Sequence, residues 1–191
     1  MAVTLSSILR RQSAFVWMAA VGVMVLLEFM LRGVDSFPVL WPAVALTLVA
    51  ACVDVGEMIV PNQLVIGGSV VGLAYILAER IVAEIALPLA ILCLSLALLN
   101  FIFANLRGYV AIGMGDLKLL AVCTLFVGWY VFLALYIAAI TGATYGVVGQ
   151  LRGRLTATTK IPFVPFIALG MLSVVVDSRF GLLARYLFGG P

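Results

Sequence analysis

An all-α fold, a polytopic transmembrane helical bundle, follows from three features of the sequence. Of 191 residues, 65% are hydrophobic and only 10% charged, with a mean hydropathy of +1.29, whereas a soluble domain carries roughly 25% charged residues. The apolar residues gather into runs close to the ~20 residues that one helical crossing requires. They lack the period-two alternation of a membrane β-barrel. The expected architecture is six long spans plus one short helix, forming a single integral-membrane domain over residues 1–191.

Taken in order, residues 1–12 are polar enough for a cytoplasmic N-terminus, with Arg10 and Arg11 ahead of the first apolar run, 13–31. That run is too long for a signal-peptide core and has no small-residue cleavage site, so it reads as a retained helix. Glu28 and Arg32 are four apart and can pair near its outer end. A turn at 33–36 leads to the second span, 37–53, which ends at Asp54. Pro61 holds the residue before it extended and suits the first turn of a third span, 63–78. Glu79, Arg80 and Glu84 mark an outer loop before the fourth span, 85–103. A polar connection, 104–112, carries Asn105, Arg107 and Gly108. The short helix then runs from Asp116 to Gly128-Trp129, and a further span covers 130–150. After the basic loop 152–160, the last span starts at Ile161 and fades near Val176, leaving 177–191 as an interfacial tail.

The charges orient this arrangement. Alternating spans from a cytoplasmic N-terminus places Arg10, Arg11, Arg107, Lys118, Arg152, Arg154 and Lys160 inside. Arg32, Arg80, Arg179 and Arg185 then lie outside, in keeping with the positive-inside rule. The site loops are therefore expected at the cytoplasmic face of the cell membrane, with the lipid bilayer as surroundings. A net charge of +3 without a basic stripe gives no expectation of nucleic-acid binding. The absence of histidine excludes His-based nucleophile triads and HExxH zinc sites. Cys52, Cys93 and Cys123 stand alone in apolar runs and read as small core residues. Neither a metal nor another cofactor is expected.

Chemistry concentrates in Gly113-Met114-Gly115-Asp116-Leu117-Lys118-Leu119-Leu120. A carboxylate near the hydrocarbon core is costly and points to function. Gly113 and Gly115 leave the backbone bare, which reads as room for a substrate backbone. The topology brings Asp54, at the end of one helix, to the same depth as Asp116, at the start of another. Two carboxylates that approach closely share a proton. One can then activate water while the other donates to a carbonyl, and the pair titrates together, with neither member permanently acid or base. The same residues admit two other readings. Asp54 and Asp116 can be separate loop carboxylates, capping helices or pairing with Arg107 and Lys118. Alternatively they handle ions or protons in a small transporter, although no internal repeat supports that.

The stretch Gly113 to Leu120 resembles the GxGDxKLL signature of the type IV prepilin peptidases. Asp54 and Glu57 followed by Ile59-Val60-Pro61-Asn62 resemble that family's first-aspartate segment, and Ile161-Pro162-Phe163-Val164-Pro165-Phe166-Ile167-Ala168-Leu169-Gly170 its IPFGPFLALG block. The resemblance implies an aspartic endopeptidase that removes the leader from prepilin or prepilin-like substrates, with Asp54 and Asp116 catalytic. Gly113 and Gly115 map onto the motif glycines. Lys118 neutralises charge or contacts substrate, or else simply snorkels. Glu57, Pro61 and Asn62 are supporting residues, and Pro162 and Pro165 shape the last helix. Two departures stand out: the chain has no CxxC motif, and Val164 replaces the usual Gly of the last block. The first departure resembles the short form associated with Flp-type pili or preflagellin processing. Presenilin and signal-peptide-peptidase proteins share GxGD but have Tyr-Asp where this chain has Val53-Asp54.

Overall fold

The computed structural model describes residues 37–180 apart from 109, 157 and 158, together with the isolated positions 18, 21 and 22. Apart from those three positions, the expected first span lies outside the described residues, as do the Glu28–Arg32 pair, the basic N-terminus and everything beyond residue 180. Six helices follow in order: α1 Phe37–Glu57, α2 Asn62–Glu79, α3 Val82–Arg107, α4 Met114–Val127, α5 Tyr130–Leu151 and α6 Val164–Phe180. In α1, α2, α3 and α5 the apolar stretch is long enough to cross a membrane. The last helix is apolar over Val164–Asp177 but shorter than a full span.

Helix ends depart from the sequence expectation where local chemistry decides them. The first helix continues a turn beyond residue 53, so Asp54 stands inside its last turn. It ends where Met58 adopts a left-handed φ of 53° and donates its N–H to the Asp54 carbonyl at 2.9 Å. The third helix runs on to Arg107 and closes on Gly108, whose φ of 72° lets its N–H reach the Ala104 carbonyl. The sixth starts only at Val164, because Pro162 holds Ile161 extended, while Pro165 in the first turn gives up an N–H with no helical partner anyway. It also continues through Asp177, which is 4% exposed, so residue 177 belongs to the helix and not to a surface tail.

Close contacts fix the helix directions. Lys118 meets Asn62, Val122 lies against Gly68, and Leu125 against Gly72, so α2 and α4 run parallel. Gly128 touches Ile85 at one end of α3, and at the other the Asn100 amide brackets Ile112 with two hydrogen bonds of 2.9 and 3.0 Å. Helices α3 and α4 are therefore antiparallel. Ala134 opposite Gly170, and Gly142 opposite Phe166, make α5 and α6 antiparallel as well. The ends of α1, α3 and α5 and the starts of α2, α4 and α6 thus gather at one end of the bundle.

The short α4 is the centre. Its 14 residues span about 21 Å, less than the ~30 Å hydrocarbon thickness. It is enclosed by α1, α2, α3 and α5, and Leu119, Leu120 and residues 122–127 are buried. The outer surfaces of α2, α3 and α5 carry exposed Val70, Leu77, Leu94, Leu98 and Tyr136, as expected of lipid-facing helices. Lipid offers no hydrophobic drive to bring such helices together, so close packing of small residues matters more. Buried hydroxyls are satisfied within their own helices: Thr47 donates to the Ala43 or Val44 carbonyl and Thr124 to Leu120.

Gly170 tests this packing directly, since a Cβ there would sit on the Ala134 carbonyl, 2.8 Å from its carbon. Gly170→Ala is expected to destabilise the detergent-solubilised protein by roughly 1–3 kcal/mol, the usual range for overpacking. Gly67→Ala, with nothing within 4 Å of the added carbon, is expected to be neutral or slightly stabilising. Thermal unfolding of the two variants side by side reads the difference.

Candidate active site

Asp54 is 5% exposed. Its carboxylate Oδ2 accepts the Val164 N–H at 3.0 Å, and the Phe163 N–H is also directed at the carboxylate. Phe163 is the residue on which α6 begins, its carbonyl taking the N–H groups of Phe166 and Ile167. Asp54 therefore occupies the start of α6, where unpaired N–H groups and the helix dipole favour a negative charge. One side chain thus joins the last turn of α1 to the first turn of α6.

Asp116 is the third residue of α4, and Gly113 is the N-cap. The carboxylate reaches back to the Gly113 N–H, the second half of a capping box, so Asp116 is not itself the N-cap. A Cβ on Gly113 would stand 3.2 Å from Asp116 Oδ2, and one on Gly115 would stand 3.2 Å from Val60 Cβ. The room left by both glycines is filled by the chain's own atoms. Gly115 admits the loop 58–61, which follows the helix of Asp54, and so draws the two aspartate segments together.

Asp116 lies at the head of the short helix, outside the four long apolar helices. Burial first, and the charge of Asp54 second, push its carboxyl up to about 6, against the lowering effect of the Gly113 N–H. The two carboxylates are thus within electrostatic reach, although they come from different helices.

The remaining sequence candidates take structural positions around this pair. Lys118 Nζ donates to the Asn62 amide oxygen Oδ1 at 3.3 Å, tying α4 to the start of α2. Pro61 is buried and precedes α2, its carbonyl accepting the Leu64 N–H at 3.1 Å. Glu57 is half-buried, at the end of the helix that carries Asp54. Among the described residues no group of three or more acidic, cysteine or histidine side chains is arranged to hold a metal. Sequence reasoning missed the backbone of Phe163 and Val164 as a partner of Asp54, and Val60 as the neighbour of Gly115. The signal for the first was present: prolines at 162 and 165 mark a helix start whose remaining N–H groups need an acceptor.

A multi-pass helical bundle with two neighbouring carboxylates at one end defines a class of membrane protein, and the comparisons supply the family. The family model described as the type IV leader peptidase family matches residues 41–147, a stretch that includes both aspartates. The chain belongs to the type IV leader peptidase family. A prepilin leader peptidase/N-methyltransferase of Burkholderia pseudomallei is 40% identical over 91 residues, 47% of this chain and 28% of that protein. Proteins of the same name from Bacillus subtilis and Pectobacterium carotovorum subsp. carotovorum are 30% and 27% identical. Their matches cover 70% and 90% of this chain, and 54% and 64% of the relatives. The chain therefore spans between about a quarter and two thirds of the length of these relatives. No solved structure matches it.

The structural part of Asp54 can be separated from any chemical one. Asp54→Asn keeps an oxygen for the Val164 N–H, whereas Asp54→Ala leaves that N–H unpaired. The alanine variant is expected to lose about 1–2 kcal/mol of stability, as a deleted helix cap does, and the asparagine variant much less. Thermal unfolding in one detergent compares them.

Proposed function

We propose that the chain is an aspartic endopeptidase that uses Asp54 and Asp116 to cut the leader from prepilin-type substrates. The observation that carries this reading is the juxtaposition of two carboxylates from α1 and α4, one bound to the start of α6 and the other raised by burial and by its neighbour's charge. That difference supports a resting division of labour. In this reading Asp54, against the Val164 N–H, acts as the base, and Asp116, while protonated, acts as the acid. A water between them gives a proton to Asp54 and attacks the scissile carbonyl, whose oxygen accepts a hydrogen bond from Asp116 and then its proton. Collapse of the tetrahedral intermediate returns a proton to Asp116 and delivers the proton on Asp54 to the departing amine. No other nucleophile or electron carrier is needed.

Both aspartates lie at the end of the bundle that also carries Lys118, Arg152, Arg154 and Lys160. The positive-inside rule supports placing that end in the cytoplasm. A substrate with a basic leader and an apolar helix would then present the bond just before its helix, since helical peptide bonds are hidden. Bordering the aspartates, the non-helical residues Ile59 and Val60 and the 110–113 segment offer irregular backbone against which an extended peptide can lie. Glu57, Asn62 and Lys118 act as supports in this reading, holding the two segments in register, and lipid surrounds the spans.

Co-expression with a prepilin-type substrate, followed by intact-mass and N-terminal analysis of the product, tests the assignment. Asp54→Asn and Asp116→Asn are each expected to lower cleavage by at least about 10²–10⁴-fold, the usual worth of a general acid or base. Near-parental processing by either variant would refute the dyad.

A second outcome follows from the raised carboxyl of Asp116. Its protonated form gives stability that is full below the ordinary value of 3.8 and is lost as pH rises through about 6. Asp116→Asn is therefore expected to unfold at a higher temperature than the parent at pH 7.5 and at the same temperature near pH 4. Cleavage by the parent is expected to decline as pH rises through the same window, where the donated proton is lost.

A further inference from the structure

A cleft of about 490 Å³ opens beside α5, away from the aspartates. One wall is the last three turns of α5 with Thr141, Thr144, Tyr145 and Val148; Phe166 of α6 and Leu155 of the following loop complete it. Arg152 and Arg154 stand at its mouth. Both are exposed, and no acidic side chain lines the cleft. Leu155 folds back over Gly149, where a Cβ would stand 2.7 Å from Leu155 Cγ. The loop is held in this position by the Arg154 and Leu155 N–H groups, which both donate to the Gly149 carbonyl, at 2.9 and 3.1 Å. The cleft is therefore built by the fold and is not just a gap between loose side chains.

Its chemistry is graded along the helix axis. The stretch over Tyr145, Val148, Leu155 and Phe166 is apolar, and the Tyr145 and Phe166 rings pack with centroids 5.7 Å apart. The Thr141 and Thr144 hydroxyls are turned onto their own helix, donating to the Ile137 and Ile140 carbonyls at 2.7 Å each, so they ask nothing of a ligand. Two guanidiniums close the end where α5, a helix long enough to cross the membrane, finishes. An occupant must combine an apolar chain lying along a membrane-spanning helix with an anion at the membrane boundary. Guanidinium is the cation best matched to phosphate oxygens. We infer that the cleft between α5, α6 and the 152–155 loop binds one anionic phospholipid, with its phosphate on Arg152 and Arg154 and an acyl chain against Tyr145, Val148, Leu155 and Phe166. A basic leader peptide is disfavoured at this mouth by like charge.

The site also has a route to the aspartates, since Phe166 lies two residues beyond Val164, whose N–H holds Asp54. An acyl chain on Phe166 would therefore press on the helix turn that positions that carboxylate.

Full-length protein reconstituted in nanodiscs of phosphatidylcholine containing a minor fraction of phosphatidylglycerol, then released for native mass spectrometry, tests the inference. One phosphatidylglycerol retained per chain, in preference to phosphatidylcholine, is expected. Arg152→Gln/Arg154→Gln is expected to weaken that retention by roughly tenfold or more, given the pull that each basic residue exerts on anionic lipid. Lys160→Gln, a charge change in the same loop but off the cleft, is expected to leave it unchanged. Thr144→Trp keeps both arginines and fills the apolar wall, so it is expected to abolish retention too; a diffuse charge attraction would survive it. Should the double arginine variant fail to fold, the tryptophan variant alone decides. Equal retention of the two lipids, or retention untouched by Thr144→Trp, would overturn the inference. So would displacement of the lipid by millimolar inorganic phosphate, which would make the ligand a soluble anion, or by an added leader peptide, which would make the cleft a peptide site.

Discussion

The hydrogen bond from the Val164 N–H to Asp54 is the constraint on which the geometry of the site depends. Helix α1 packs along α6, and α6 along α5, so the group that fixes the start of α6 also sets where α5 and its cleft stand. In a medium without water, a helix N-terminus left unsatisfied costs several kcal/mol per group. Prolines at 162 and 165 reduce the number of groups needing a partner, and Asp54 takes what remains. The arrangement is reciprocal, because the helix start in turn makes a buried carboxylate tolerable. In the proposed mechanism the same contact also selects which aspartate is the base.

The second aspartate depends on closeness of a different kind. Helix α4 is too short to cross alone and is shielded by four neighbours, so its first turn can stand recessed within the bundle. There Gly115 meets Val60 and Gly113 meets the Asp116 carboxylate itself. A side chain at Gly115 would push the Asp116 turn away from the loop that follows Asp54, and one at Gly113 would press on the Asp116 carboxylate. The glycines of the motif thus have a physical reason that requires no substrate: they let the two aspartate segments approach. Asn62 and Lys118 bridge the same two segments a turn further out.

Much of this was legible in the sequence, for particular reasons. Composition and run length mark the helices because hydrocarbon demands both, and the alternation of directions follows from counting spans. The neighbourhood of Asp54 and Asp116 followed from the same counting, since one ends a helix and the other begins one at the same end. Helix ends were less legible. The extension of α1 past Asp54 depends on Met58 taking a left-handed conformation that nothing in its residue type favours. The partnership of Asp54 with Val164 joins residues 110 positions apart through a backbone N–H, which no side-chain pattern announces. The cleft beside α5 depends on Leu155 folding over Gly149, a tertiary contact invisible to periodicity.

A pair of carboxylates, one buried and one half-buried, is an expensive feature for a small membrane bundle, and the surrounding structure shows how the cost is contained. Each aspartate accepts a backbone N–H at a helix start, Asp54 from α6 and Asp116 from α4. These partners stabilise negative charge without adding a cation that would neutralise the pair outright. Lysine at 118 is held by Asn62, which keeps the nearest basic side chain of α4 engaged elsewhere. A salt bridge to either carboxylate would make the site more stable and also fix both protons permanently. In the proposed mechanism, backbone donors hold the groups in place while leaving a shared proton free to move. On that proposal, the freedom of the proton is what would distinguish two aspartates poised for acid–base work from two that merely cap their helices, since the capping geometry is present in both cases.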